Sequence, residues 1–405
     1  MFPLAERIWW LPRPSMSSAY FLLLWDRGSR HDPPGQEGLM HFLEHALFKG
    51  TRRHKAREIF QRIERHGGEL NAFTTKDKMG LEVRVAPSAV GIALGLLKEL
   101  SQEAAFPPAE VEKERSVILE ELAMYEDIPE ESLLDRFEEQ IFEEGGLRHP
   151  VIGYVESVKA IAAESLYRFY REELIQAAEW VLLIAGPFKE ASLIRALHLS
   201  GWTEAGTPRP FRREVGKEKI APPTEQTFSK PIQQAHLVVG GVGPRLYDWG
   251  ESLPLQVLLH EIGGPQLSSR LNMRLRERYG WCYTVYTFLH TYPERSVWGI
   301  YAGLTPHVVA KAQKVIQAEL DRWASSAPSE ATLLRMKKAF LGKQALLWES
   351  VPHRLFVEGR ILLDTGTPMD VTAWKAQLAN IAPVDVRTAA ETSFTQVYTR
   401  LYIPQ

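Results

Sequence analysis

Short apolar runs and amphipathic stretches follow one another along this chain in an order that occurs twice. Ser18 to Trp25 is an almost unbroken apolar run and reads as a buried strand. After the break at Pro33-Pro34-Gly35, the spacing predicts a helix from about Glu37 to Lys49 that stops at Gly50. A second helix, His54 to His66, is ended by Gly67-Gly68, and alternation from Leu70 to Val85 predicts a hairpin. The second half repeats the plan. A strand at Gln234–Val242 precedes a helix at Ser252–Ile262 ended by Gly263-Gly264, a helix at Leu267–Tyr279 and an alternating strand at Trp281–Leu289.

Further helices are predicted at Ser88–Glu103, from Pro108 to about Phe142, and at Pro306–Ala324, Ser329–Ser350 and His353–Leu363. Each half closes on a strand-like segment, Trp180–Ala185 and Val397–Ile403. Between the halves, Gly201 to Lys230 is rich in Pro, Gly, Thr and charge and lacks periodicity, as a linker does. The expected organisation is therefore a module at 1–205, a linker at 206–230 and a second module at 231–405. Strict βαβ alternation is missing, so each module is expected to be α+β, a mostly antiparallel sheet packed with helices.

Composition narrows the function. With 405 residues, 45% hydrophobic and 24% charged, the chain can bury two cores. A net charge of −2 offers no electrostatic footprint for nucleic acid. No apolar run approaches the roughly 18 residues of a membrane span, and Met1–Pro14 lacks the organisation of an export signal, so the expected location is the cytoplasm. Cys282 is the one cysteine, so a metal site here must be built from histidines and carboxylates.

His41-Phe42-Leu43-Glu44-His45 offers such a site. Four residues apart on a helix, the two imidazoles project from one face, roughly 6 Å apart at Cβ. They can supply two ligands of a tetrahedral zinc, leaving room for one more protein ligand and a water. Glu44 beside them can take a proton from that water. Histidines with this spacing also occur on helices that bind no metal, so the pattern needs support.

That support is a resemblance. His-x-x-Glu-His at 41–45, followed by Phe48-Lys49-Gly50-Thr51 and by Gly67-Gly68-x-x-Asn71-Ala72-Phe73-Thr74, resembles the pitrilysin-type M16 metallopeptidases. The resemblance implies two modules of the M16 fold, endopeptidase activity and one zinc ion per chain. It implies a third ligand in Glu114-Arg115-Ser116-Val117-Ile118-Leu119-Glu120-Glu121, where Glu121 falls 76 positions after His45. Glu120 is about 100° away around the helix and should face elsewhere. Glu114, two turns before Glu121, becomes a candidate to orient a ligand. Residues 110–144 hold fourteen acids against three bases, and most of those acids read as a solvated surface.

The likeness continues in the second half. Arg276 and Tyr283, seven apart, match a pair that in the family binds substrate and stabilises the oxyanion. The strand carrying Asn71, Ala72, Phe73 and Thr74 is expected to pair with the extended substrate backbone. Lys78-Met79-Gly80-Leu81 departs from the Thr-x-Tyr of many relatives, which implies altered packing or pocket shape. Long members of the family join four modules, so this two-module chain is expected to form a homodimer enclosing peptide substrates, with Arg276 and Tyr283 completing the partner's site. The alternative is a non-catalytic or partner-dependent processing or assembly subunit of the same fold.

Overall fold

The computed structural model describes residues 1–202 and 218–405. Two compact units account for them. The first comprises Met1–Ala123, the described part of His149–Glu214, and Leu347–Met369; the second holds Met124–Arg148, the described part of Val215–Leu346, and Asp370–Gln405. Each half of the chain thus lends a segment to the unit built mainly by the other, which contiguous modules do not provide for. Residues 206–217 of the expected linker lie outside the described residues.

In the first unit a six-stranded sheet runs in the order Phe2–Ala5, Ile8–Pro12, Trp180–Gly186, Ala19–Trp25, Met79–Val85, Glu69–Thr74. All pairs are antiparallel except Ile8–Pro12 with Trp180–Gly186. Ala19–Trp25 is buried along its whole length because both its faces are covered. Phe21 and Leu23 meet the main core with Leu39, Leu43 and Leu47, whereas Leu22 and Leu24 meet Leu355, Leu362 and Leu363 of the helix Val351–Thr365. Glu69–Thr74 forms one edge of the sheet.

The departure at Lys78–Leu81 now has a physical account. Phe73 and Gly80 are cross-strand partners, and a Cβ on Gly80 would lie 2.4 Å from the Phe73 ring. That ring covers the glycine from the neighbouring strand and stacks edge-to-face on Phe356, centroids 5.5 Å apart. Next to it, Lys78 Nζ lies 2.7 Å from Asp364 Oδ1, with both side chains 1% exposed. A cation just before the strand Met79–Val85 is thereby tied to the helix Val351–Thr365.

In the second unit, five strands run in the order Cys282–Thr291, Ser296–Leu304, Ala235–Gly243, Tyr398–Pro404, Glu225–Lys230. The last pair is parallel and the others antiparallel. Two expectations are corrected here. Glu225–Lys230 is a strand rather than linker, stabilised by pairing that no local pattern announces. The long helix expected from Pro108 to Phe142 is two helices, Pro108–Glu126 and Pro129–Ile141. Proline at 129 lacks a backbone N–H and pushes Ile128 into extended conformation, ψ 95°. Leu133, Phe137 and Ile141 of the second helix then pack with Val238, Val297, Tyr398 and Tyr402. Among the described residues, no helix is long and apolar enough to cross a membrane.

The buried pair gives a stability test. Lys78→Met takes the ammonium from the buried Asp364 carboxylate and leaves Arg360 Nε, 3.8 Å from its other oxygen, as a remaining cation, so it is expected to cost about 3 kcal/mol in a urea titration. Lys78→Met combined with Asp364→Leu should lose clearly less.

Candidate metal centre

Six of the nine residues of the helix Leu39–Leu47 are buried: Leu39, Met40, Phe42, Leu43, Ala46 and Leu47. The remaining three are His41, Glu44 and His45, so packing alone directs these polar groups to one stripe. The helix begins at Gly38, whose φ is +94° and whose hypothetical Cβ would lie 2.6 Å from the Ile152 carbonyl oxygen. Asp32 holds this helix end from outside, its two oxygens each accepting a backbone N–H, from Gly38 and Met40, at 2.8 Å. Gly50, expected as the stop, lies three residues beyond the last helical residue.

The helix Pro108–Glu126 crosses this stripe. Arg115 fixes it, donating to the Val158 carbonyl at 2.5 Å with its guanidinium 5.4 Å from the Phe42 ring centroid. Glu121 Oε1 then lies 3.9 Å from His41 Nε2, and Oε2 lies 3.5 Å from His45 Nε2. One ligand atom from each of the three lies within 4.8 Å of the others. Bonds of 2.0–2.1 Å to a tetrahedral zinc place ligand atoms about 3.3 Å apart, so a small inward adjustment closes the set around an ion. Glu120 is exposed, as its position around the helix requires.

Two observations indicate that the group fits a cation. Among the described residues, buried His41 Nδ1 has no hydrogen-bond partner, so this imidazole is not a core histidine satisfied by the fold. Burial and the neighbouring His45 also push its pKa down to about 3, which keeps the ring neutral as a ligand must be. His45 is oriented differently. Its Nδ1–H donates to Glu114 Oε1 at 2.9 Å, leaving the Nε2 lone pair directed at the group. Burial works against the charged ring, but Glu114, Glu121 and Glu44 outweigh it and raise its pKa.

Glu114 is 8% exposed, and Lys49 Nζ lies 2.5 Å from its second oxygen. Burial opposes ionisation of Glu114, yet His45 and Lys49 prevail and hold its pKa below the usual carboxylate value. Lys49 is a residue that sequence reasoning missed as a participant, although it lies in the quoted Phe-Lys-Gly-Thr stretch. Glu44 is raised by burial, against the bond it accepts from the Thr74 hydroxyl at 2.5 Å. A raised carboxylate is a better proton acceptor near neutral pH.

The strand expected to receive peptide divides its residues between two faces. Asn71 lines a cavity of about 570 Å³ with Tyr20, Glu82 and Arg84, and Phe73 is committed to Phe356. Ala72 packs on the main core, and Thr74 reaches Glu44.

Arg276 and Tyr283 come together in the second unit. The guanidinium is 5.2 Å from the tyrosine ring centroid, and Tyr283 is 77% exposed. Arg276 lies on the π-helical segment Asn272–Arg278 and Tyr283 on the edge strand Cys282–Thr291. Fully buried Glu319 anchors that segment by accepting from Arg270, Arg274 and Trp323. Nothing in the local sequence marks Glu319 for this role. Burial raises the Cys282 thiol to about 11, away from the range of reactive thiolates.

Comparison with known proteins finds related sequences and folds. Residues 12–154 match the family described as "Insulinase (Peptidase family M16)", and residues 160–340 match "Peptidase M16 inactive domain". An uncharacterized zinc protease of Streptomyces coelicolor is 31% identical over 385 residues, covering 93% of this chain and 83% of that protein. Another from Bacillus subtilis is 29% identical over 379 residues, covering 92% and 89%. Among solved structures, a protease from Helicobacter pylori superposes with a TM-score of 0.88 at 20% identity, covering 98% of this chain and 96% of the other. A peptidase M16 inactive domain from Pseudomonas fluorescens gives 0.85 at 16% identity, covering 98% and 95%.

Purified protein is expected to retain one zinc per chain. Glu114→Gln should weaken zinc binding about 10- to 100-fold in competition with a chromogenic chelator, whereas Glu120→Gln should leave it unchanged.

Proposed function

Because the chain belongs to the M16 family of peptidases, we propose that it is a zinc-dependent endopeptidase acting on peptides or unfolded segments within an enclosed chamber. The observation that carries this reading is the placement of Glu44 one residue from His45, beside a three-residue group able to hold zinc. His41, His45 and Glu121 would hold the ion, which when bound would polarise the scissile carbonyl and acidify a water. Glu44 takes that water's proton and returns it to the leaving amine. The backbone edge of Glu69–Thr74 pairs with the extended substrate and supplies sequence-tolerant affinity. Arg276 and Tyr283 donate to the substrate and to the developing oxyanion.

Among the described residues His41, His45 and Glu121 are the one group able to hold a metal, which supports one zinc per chain. The complete set of site residues weighs against a non-catalytic subunit. We further propose a homodimer in which Arg276 and Tyr283 complete the site of the other subunit. A chain that carries both sets once can form two equivalent sites by closed two-fold symmetry.

Glu44→Gln should lower cleavage of a mixed peptide library at least about 100-fold while retaining zinc. Equal cleavage by both proteins would remove the assigned base. Mixing Glu44→Gln with Tyr283→Phe should restore part of the activity if sites are completed between subunits, and an inactive mixture would contradict that arrangement.

A further inference from the structure

We infer that Thr74 is the positioning residue of Glu44: its hydroxyl fixes one carboxylate oxygen and leaves the other for the attacking water. The inference rests on the peptidase reading. Thr74 Oγ1 donates to Glu44 Oε2 at 2.5 Å, and among the described residues no other hydrogen bond reaches that carboxylate. Glu44 ends a flexible side chain, so without this bond its carboxylate can sample rotamers that point away from the zinc ligands.

The donor itself is held firmly. Strand alternation turns Thr74 toward the helix Leu39–Leu47, on the same side as Leu70 and Ala72, while Phe73 is stacked on Phe356 on the opposite side. Immediately after it the chain is locked. Thr75 N donates to the Lys78 carbonyl at 2.8 Å, Lys78 N donates to Thr75 Oγ1 at 2.9 Å, and Ser29 N donates to the Thr75 carbonyl at 3.1 Å. Lys78 is in turn paired with buried Asp364. A side chain on a rigid strand end therefore sets the direction of a mobile one. The same strand presents the free edge proposed to receive peptide, so backbone docking and base alignment share one element.

Thr74→Val keeps the β-branched shape and removes only the hydroxyl, whereas Thr74→Ser keeps the hydroxyl. In the zinc-loaded full chain, Thr74→Val is expected to lower kcat about 10- to 100-fold with KM within about twofold, and Thr74→Ser to stay within about threefold of wild type. Zinc content and Tm should be unchanged in both. A Val variant with near wild-type kcat, a Ser variant as impaired as Val, or loss of zinc from Val would overturn the assignment. A second readout does not need turnover. A peptidyl hydroxamate passes its proton to an adjacent carboxylate on chelating zinc, so its affinity should fall about tenfold in Thr74→Val and hold in Thr74→Ser. Equal affinity in all three proteins overturns the assignment; absent cleavage by wild type, with the hydroxamate pattern intact, counts only against the peptidase reading.

Discussion

A nine-residue helix that buries six of its side chains can present three polar ones only along a single stripe, and the candidate site follows from that constraint. The stripe of Leu39–Leu47 carries His41, Glu44 and His45, and these need partners that the helix cannot supply. Pro108–Glu126 brings two of them, Glu121 to the imidazoles and Glu114 to the back of His45. The edge strand brings the third, Thr74, to Glu44. Removing the crossing helix would leave two half-buried imidazoles and a carboxylate with no common task.

The arrangement divides the work between a fixed frame and a tuned centre. Asp32 at the start of the helix, Arg115 on the Val158 carbonyl and Lys78 with Asp364 set where the elements lie. Lys49 and Glu114 then set which nitrogen of His45 is free, and burial keeps His41 neutral. Charge, tautomer and direction at the candidate metal ligands are thus decided by residues one contact removed from them, as metal sites generally require. The second unit shows the same logic, with buried Glu319 anchoring the helical segment that leads to Arg276.

Much of this was legible in the sequence because it is periodic or local. The His-x-x-Glu-His spacing, the hairpin and the glycine stop at Gly67 depend on a few neighbouring residues. Gly67 indeed adopts φ +65°. The family resemblance correctly implied the M16 fold, and Glu114 stands where its helical spacing put it. What escaped was non-local. Helical periodicity ran straight through Pro129, although the chain breaks there into two helices, the second of which belongs to the other unit. Glu225–Lys230 has linker composition and becomes a strand only by pairing with Tyr398–Pro404. Thr74 was expected only to pair with substrate along the edge strand, since its bond to Glu44 depends on a carboxylate thirty positions earlier. Lys49 was in view but lacked a partner until the fold brought Glu114 to it.

The central claim is that one zinc ion sits between His41, His45 and Glu121 with Glu44 beside it. Anomalous diffraction at the zinc edge from crystals of the Glu44→Gln protein tests it most directly. The account predicts one strong peak per chain, about 2.0–2.2 Å from a nitrogen of each histidine and an oxygen of Glu121. A zinc-replete crystal with no peak there, or with its peak at another set of residues, would contradict it.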